Sequence, residues 1–145
     1  MRCLITGGAG FIGSHLAEHL LGLGHDVVVL DDLSTGSERN LAGLPVRFVR
    51  GSVCDPDAVE DAMSDVDAVY HLAAAVGVFT ILDRPLDSLR TNLDGTATML
   101  AAAHRHDVPI LVASTSEVYG KNTADGLSED DDRIVGSPLR SRWSY

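Results

Sequence analysis

The sequence predicts an α/β protein whose parallel sheet is doubly wound, with helices on both faces, giving three layers. Three observations lead to this prediction. Short runs of β-branched and other apolar residues alternate with amphipathic stretches along the chain. A glycine-rich turn separates the first apolar run from the first amphipathic stretch, and an acidic residue ends the second run. At 145 residues the chain is about the size of one domain, so residues 1–145 are expected to form one domain.

Composition narrows the possible function classes. Apolar residues make up 45% of the chain, which is typical of a globular protein rather than a disordered one. The formal net charge of -10 argues against a nucleic-acid partner. No apolar run is long enough to cross a membrane, and no signal peptide is recognised. Cys3 and Cys54 lack metal-ligand spacing, so no metal site is predicted; both are expected to be reduced core residues of a cytoplasmic protein.

The first predicted elements are a short buried strand at Cys3–Ile5 and a helix with an apolar face from Leu16 to Leu21. Between them, Gly8, Gly10 and Gly13 form the pattern G-x-G-x-x-G, which in this context is typical of a Rossmann-type dinucleotide-binding domain. A pyrophosphate would lie against backbone N–H groups at the helix N-terminus. Side chains at the first two glycines would hold the pyrophosphate off, and the third glycine is expected to let the helix pack closely on the strand.

The second predicted strand, residues 27–30, ends in Asp31 and Asp32. Asp31 lies 23 residues after Gly8, close to the spacing of an acid that accepts hydrogen bonds from the adenosine ribose. A carboxylate at this point would repel a 2′-phosphate, so NAD is predicted rather than NADP. The alternative is a surface acid that merely ends a strand.

The rest of the chain continues the alternation. Further strands are predicted at residues 46–50, 68–72 and 110–114, with a short helix at 58–63 whose N-cap is Asp55. A longer helix follows Pro85, and residues 121–138 have the composition of a loop. Residues 140–145 are expected to begin another helix. The apolar members expected on the longer helix are Leu86, Leu89, Leu93, Met99 and Leu100.

Two further features carry expectations of their own. Gly95, in the middle of the longer helix, predicts a packing contact or a bend. The small residues Ala73, Ala74 and Ala75 follow the fourth strand, where they would either admit a ligand or allow tight helix packing.

Six segments together resemble the extended short-chain dehydrogenase/reductase superfamily, in its nucleotide-sugar epimerase/dehydratase branch. They are residues 6–16, 31–36, 71–74, Asn92 with Gly95, 114–120 and 142–145. The resemblance implies NAD as the cofactor, a nucleotide sugar, with UDP expected, as the substrate, and a homodimer. The residues expected to bind the cofactor are Gly7, Gly10, Phe11, Ile12, Gly13, Asp31, Asp32, Ser52, Val53, Leu72, Ala73, Ala74, Asn92, Ser114 and Tyr145.

The same resemblance implies catalytic roles. Thr115 matches the residue that hydrogen-bonds the reacting sugar hydroxyl, and Tyr145 matches the tyrosine of a Tyr-x-x-x-Lys motif; Ser116 and Glu117 complete the candidate set. The motif's lysine would fall beyond the last residue of this sequence. These residues are therefore expected to form the N-terminal, cofactor-binding part of a larger enzyme, with little turnover alone. Ser52 stands where many relatives carry an acid that contacts adenine.

The implied reaction begins with oxidation of a sugar at C4, and the sequence leaves its outcome open. The segments 31–36 and 75–78 favour a UDP-sugar 4-epimerase, which is the prediction. Ser116–Glu117 after Thr115 is similar to UDP-glucuronate decarboxylases, the alternative, and argues against a dehydratase. Glu117 has a structural alternative, as a residue that holds Ser116 or a loop amide. An alternative of another class is a non-catalytic NAD-binding module.

Overall fold

The fold is a five-stranded parallel sheet flanked by helices, in a computed structural model that describes residues 1–75, 77, 83–137 and 139. The strands lie in the order β3-β2-β1-β4-β5. They are β1 (Arg2–Thr6), β2 (Asp26–Asp31), β3 (Arg47–Arg50), β4 (Ala68–His71) and β5 (Ile110–Val112). The helices are α1 (Phe11–Gly22), α2 (Pro56–Ala62) and α3 (Pro85–Arg105). The predicted Rossmann-type fold is confirmed.

Strands β1 and β2 have continuous apolar runs between their polar ends because both of their faces are covered. Alternate residues of β1 and β2 belong to two separate hydrophobic clusters, one on each face of the sheet. Ala17 and Leu20 of α1 complete one cluster, while Val59 of α2 and Met99 of α3 complete the other. The described residues thus form the three layers that the sequence predicts.

The connections define where a ligand would bind. From β1 the chain passes to β2 and β3 on one side, and β4 and β5 lie on the other side. The order of strands therefore reverses between β1 and β4, whose carboxyl ends lie side by side with Thr6 opposite His71. In open α/β sheets the crevice outside such a switch point is the usual ligand site.

Helix α3 faces the sheet with smaller residues than the sequence suggested. Of the five predicted apolar members, only Met99 is fully buried and Leu89 is half-buried. Leu86, Leu93 and Leu100 are 69%, 60% and 45% exposed, so these three predicted apolar members do not face the core. The buried residues of the helix are Ser88, Gly95, Met99, Ala102 and Ala103.

Gly95 explains this choice of small residues. A Cβ built at Gly95 would lie 2.6 Å from Cγ2 of Val53, because the helix backbone lies directly against the segment that follows β3. The predicted packing contact at Gly95 is therefore confirmed. Larger side chains on this side of the helix would hold it away from the sheet.

Three other sequence predictions can be compared with the structure. Asp55 caps α2 as predicted, since its Oδ1 accepts a hydrogen bond from the N–H of Asp57 at 3.1 Å. Cys3 is buried, but Cys54 is exposed because it lies in the turn after β3 rather than on the strand, so its assignment to the core was wrong. β5 ends at Val112, two residues earlier than predicted, and the predicted helix at 140–145 lies outside the described residues.

The described residues contain neither a helix that could span a membrane nor a cluster of potential metal ligands. None of the helices there combines the length and the apolar character needed to cross a bilayer. Among those residues, His, Cys, Asp and Glu side chains do not gather in any group of three or more that would hold a metal ion.

Candidate cofactor and substrate site

The glycine-rich turn leads directly from β1 into α1. The N–H of Gly7 donates to the carbonyl of Leu30 at 2.9 Å, which ties the start of the turn to β2. Gly7 has φ = +70°, and a Cβ there would lie 2.9 Å from the backbone nitrogen of Ala73. Both the left-handed conformation and the close approach of the loop after β4 therefore require glycine at this position.

Gly8 and Gly13 are required by packing within the protein. A Cβ at Gly8 would lie 2.6 Å from Cγ1 of Val29, so this position faces β2. The expectation that Gly8 makes room for a pyrophosphate was wrong. A Cβ at Gly13 would collide with the carbonyl oxygen of Gly7 and lie 2.6 Å from Cα of Gly8. The close approach predicted for Gly13 is confirmed, although its partner is the turn itself.

The N-terminus of α1 has the properties of an anion site. In the described part of the chain no side chain caps this helix at Gly10, and its first turn carries no acidic residue. Phe11 and Ile12, the first two residues of the helix, are exposed. Uncapped N–H groups at a helix N-terminus carry about half a positive charge and bind phosphates. The turn and helix therefore fit the pyrophosphate of a dinucleotide.

Asp31 lies where a ribose-binding acid is expected. It is buried at the end of β2, next to the turn. Its Oδ2 accepts from the N–H of Ala9 at 2.9 Å and its Oδ1 from the N–H of Leu33 at 2.8 Å. Because each carboxylate oxygen accepts more than one hydrogen bond, two positions remain for ribose hydroxyls. Asp32 is exposed, and its Oδ1 accepts from the N–H of Ser34 at 2.8 Å.

The segment predicted to contact adenine follows β3. Ser52 is half-buried, and its Oγ accepts a hydrogen bond from the N–H of Cys54 at 3.1 Å. The side chain of Val53 is buried in the core against Gly95. A contact between this segment and adenine would thus use the backbone or Ser52 more readily than the side chain of Val53.

The loop after β4 is held by one residue from β1 and one from α3. The N–H of Ala73 donates to Oγ1 of Thr6 at 3.1 Å, and the N–H of Ala75 donates to Oδ1 of Asn92 at 2.8 Å. Asn92, a predicted cofactor residue, therefore positions this loop. Leu72 and Ala73 are half-buried, and Ala74 is exposed.

A buried polar chain lies beneath this loop. Nδ1 of His71 lies 2.7 Å from Oγ1 of Thr6, and its Nε2 lies 3.2 Å from Oγ1 of Thr96. Burial lowers the pKa of His71, so the ring is held neutral. The three side chains join β1, β4 and α3 directly below the switch point.

The candidate catalytic residues of the described chain follow β5. Thr115, Ser116 and Glu117 are all exposed, the last two in a single 3-10 turn, Ser116–Tyr119, and the predicted cofactor residue Ser114, just before them, is exposed as well. Oγ1 of Thr115 caps this turn by accepting from the N–H of Glu117 at 3.2 Å. β5 pairs with β4, so this turn and the loop after β4 lie at the same edge of the sheet. Tyr145, and Val76 and Val78 of segment 75–78, lie outside the described residues.

The structure thus brings two groups of predicted residues to the carboxyl edge of the sheet. One consists of the glycine-rich turn with Asp31, and the other of the loop after β4 with the segment after β5. Sequence reasoning missed Asn40, whose Nδ2 donates to the carbonyl of Ala9 at 2.8 Å, and the roles of Thr6 and Thr96. The only signal for Asn40 was its place in a polar loop after a strand that ends in an acid.

Comparison with known proteins agrees with this geometry. The family model described as the NAD dependent epimerase/dehydratase family matches residues 3–145. A UDP-N-acetyl-alpha-D-glucosaminuronate decarboxylase from Bacillus cytotoxicus is 43% identical over 99% of this chain and 45% of its own length. UDP-glucuronic acid decarboxylase 1 from Danio rerio is 41% identical over 89% of this chain and 31% of its own length.

Among solved structures, a Thermus thermophilus UDP-glucose 4-epimerase in complex with NAD superposes with a TM-score of 0.79. It is 35% identical, and the match covers 90% of this chain and 43% of that one. The chain therefore spans less than half the length of each of these proteins.

Proposed function

The chain belongs to the NAD-dependent epimerase/dehydratase family, and on that premise we propose that the protein decarboxylates a UDP-hexuronate through a 4-keto sugar. The observation that carries the proposal is its 43% identity to the Bacillus UDP-N-acetylglucosaminuronate decarboxylase. Ser116–Glu117 after Thr115 supports it, because this pair is similar to that of decarboxylases. The substrate class common to this relative and the Danio enzyme is a UDP-linked hexuronate.

The cofactor is NAD, and the turn fits it. The N–H groups that follow Gly7 and Gly10, together with those at the start of α1, would bind the pyrophosphate. Asp31 would accept hydrogen bonds from the adenosine ribose, using the acceptor positions left by Ala9 and Leu33. When bound, NAD supplies the oxidation of C4 to a ketone and its later reduction.

The proposed chemistry assigns roles to three of the four candidate catalytic residues. Thr115 orients the 4-hydroxyl, and Tyr145 as a phenolate removes its proton while C4 is oxidised. The carboxylate is then β to a ketone, so its bond to C5 breaks, carbon dioxide leaves and the electron pair forms an enolate. Glu117, acting as a general acid, protonates C5, and reduction at C4 completes a UDP-pentose.

A second candidate, 4-epimerisation, was the prediction from the sequence. The similarity to the Thermus UDP-glucose 4-epimerase supports it, as does the segment 31–36. In this case the keto sugar turns over, C4 is reduced on its opposite face, and Glu117 has a supporting role only. Both candidates share the same first oxidation, so they diverge only after the 4-keto sugar has formed.

One reaction distinguishes the candidates. The whole protein encoded by the gene is incubated with NAD and UDP-glucuronate, and the products are followed by proton NMR. Formation of a UDP-pentose supports decarboxylation, whereas a galacto-configured uronate refutes it in favour of epimerisation. Unchanged substrate, with NAD bound, favours a non-catalytic NAD-binding module. UDP-N-acetylglucosaminuronate and UDP-glucose are tested in parallel.

Variants assign the roles within that reaction. Thr115→Val is expected to lower kcat by about 100-fold or more, in the range typical for loss of a positioned proton-transfer group. Thr123→Val, at an exposed threonine in the loop after β5, is the matched control. In a decarboxylase, Glu117→Gln lowers turnover while Glu129→Gln does not. Equal turnover by both glutamate variants would indicate that Glu117 has only the structural role, in which it holds Ser116 or a loop amide.

We also propose that the protein is a homodimer that pairs through α3. Leu86, Leu93 and Leu100 are exposed and recur every seven residues, so they form one apolar stripe along the helix. Leu93→Glu is expected to yield monomers in light scattering. Leu23, which is also 60% exposed, provides the matched control, Leu23→Glu. A dimer that survives the change at Leu93 would exclude this helix as the interface.

A further inference from the structure

The peptide groups on both sides of Ala9 are fixed by the last residue of β2 and by the loop that follows it. The N–H of Ala9 donates to Oδ2 of Asp31 at 2.9 Å. Its carbonyl accepts two hydrogen bonds, from the N–H of Ser37 at 3.0 Å and from Nδ2 of Asn40 at 2.8 Å. Ala9 itself is buried. A single residue in the middle of the glycine-rich turn thus makes three hydrogen bonds, one that it donates to the last residue of β2 and two that it accepts from the loop after β2.

The sequence after β2 builds this loop for close contact. A Cβ at Gly36 would lie 2.9 Å from the carbonyl oxygen of Ala9, so the loop backbone lies directly on the turn. Ser37 then caps a 3-10 turn, Glu38–Leu41, through an Oγ that accepts from the N–H of Arg39. Leu41 is buried in the same hydrophobic cluster as Ala9 and anchors the end of the turn. Between these anchors, Asn40 directs its amide at the turn.

The consequence follows from the planarity of the peptide group. The carbonyl of Ala9 and the N–H of Gly10 belong to one rigid plane. Fixing the carbonyl therefore fixes this N–H, which donates to the carbonyl of Gly7 at 3.1 Å and closes the turn. Gly8 and Gly10 flank Ala9, and glycine allows the adjoining planes to rotate more freely than other residues do. Without hydrogen bonds from outside, this turn would populate several conformations.

We propose that Asn40 is a positioning residue of the cofactor site. Its side-chain amide holds the carbonyl of Ala9 and keeps the turn in the form that presents N–H groups to a pyrophosphate. The affinity for NAD falls in proportion to the population of the turn conformation that can bind it. Loss of Asn40 therefore weakens the binding of NAD without removing any contact between the protein and NAD. This role rests on the NAD site of the proposed function and is independent of the sugar and of the reaction's outcome.

The test compares three ligands with the whole encoded protein. Asn40→Ala is expected to lower the affinities for NAD and for ADP-ribose about fivefold each, in keeping with the loss of one hydrogen bond. Adenosine, which lacks the pyrophosphate, is expected to bind within about twofold of wild type in an NMR titration. The amide of Gly10 is expected to exchange its hydrogen faster. Asn40→Ser, which keeps a shorter donor, is expected to bind NAD with intermediate affinity.

A matched control separates positioning from stability. Nδ2 of Asn122 also donates to a backbone carbonyl, that of Asp132 at 2.9 Å, in the loop after β5. Asn122→Ala is expected to leave the affinities for NAD, ADP-ribose and adenosine unchanged. Its midpoint of thermal unfolding is expected to equal that of Asn40→Ala. Unchanged NAD affinity in Asn40→Ala, or an equal loss of adenosine, would overturn the role of Asn40. A wild-type protein that fails to bind NAD would overturn the proposed function as well.

Discussion

The glycine at position 13 offers the sharpest test of the cofactor turn. A Cβ in Gly13→Ala would lie 2.6 Å from Cα of Gly8, whereas carbon atoms pack at about 3.5–4.0 Å. The turn must therefore retreat by about 1 Å. Overpacking of this kind costs about 1–3 kcal/mol, and the better helix propensity of alanine returns about 0.5–1 kcal/mol. We expect a net loss of about 1–2 kcal/mol in the free energy of unfolding.

The same displacement moves the N–H groups that face the pyrophosphate. Hydrogen bonds to a charged group contribute about 1.5–3 kcal/mol each, so displacement of one such N–H donor is expected to lower the affinity for NAD at least about tenfold. Isothermal titration of NAD measures this loss, and urea unfolding measures the change in stability.

Gly22 provides the control on the same helix. It is the last residue of α1, and apart from its chain neighbours and the backbone of the helix itself, no atom of the described residues lies within 4 Å of a Cβ built there. Gly22→Ala is expected to bind NAD like the wild type and to gain up to about 1 kcal/mol in stability. Wild-type NAD affinity in Gly13→Ala, or an equal loss in Gly22→Ala, would refute the reasoning that close packing of the helix on the turn shapes the anion site.

Three further predictions concern charged and polar groups. His71→Phe removes one of the two hydrogen-bond partners of the buried Thr6 hydroxyl, whose oxygen still accepts from the N–H of Ala73, and is expected to lower the free energy of unfolding by about 1–3 kcal/mol at pH 8. Burial lowers the pKa of His71 below its unfolded value of about 6.5, so the free energy of unfolding of the wild type should fall as the pH falls through and below 6.5. This fall should be weaker in His71→Phe. An identical dependence on pH for both proteins in urea melts would contradict the prediction. Asp31→Asn removes the charge that disfavours a 2′-phosphate, so the ratio of NAD to NADP affinity is expected to drop about tenfold in paired titrations; an unchanged ratio would exclude Asp31 as the selecting residue. Glu60→Gln breaks an exposed ion pair with Arg105 and is expected to change stability by less than about 1 kcal/mol, with no effect in 1 M salt; a larger or salt-independent change would contradict a screened surface pair.

The parts of the fold that sequence predicted are those in which local pattern and final environment agree. β1 and β2 are buried on both faces, so their apolar runs predict them well. Helix α3 shows the opposite case, because three of its leucines face outwards while, apart from Met99, the residues that it buries are small. The sequence predicted that this helix exists, but it did not predict which face of the helix is buried. An apolar pattern does not indicate which surface of the protein packs against it.

The same distinction applies to the site. The glycine pattern and Asp31 were found because their spacing in the sequence is fixed by the strand-turn-helix unit. Asn40 contacts Ala9 across 31 positions, and Thr6 contacts His71 across 65, so neither pair has a local signature. Such contacts depend on how loops pack after the sheet has formed. Sequence therefore indicated which residues face the ligand better than it indicated which residues hold them in place.

The glycines show how these two kinds of residue are related. Gly7, Gly8 and Gly13 each face a different part of the protein: the loop after β4, the side chain of Val29 and the turn itself. The pattern that is usually explained by the approach of a pyrophosphate thus describes, at these three positions, how closely the turn packs on its surroundings. Close packing restricts the conformations of the turn, and hydrogen bonds with Asp31 and Asn40 hold Ala9 in the observed one. Asp31 is also the ribose acid of the proposed site. It follows that substitutions that change this packing should lower the affinity for NAD even where the substituted residue contacts no cofactor atom.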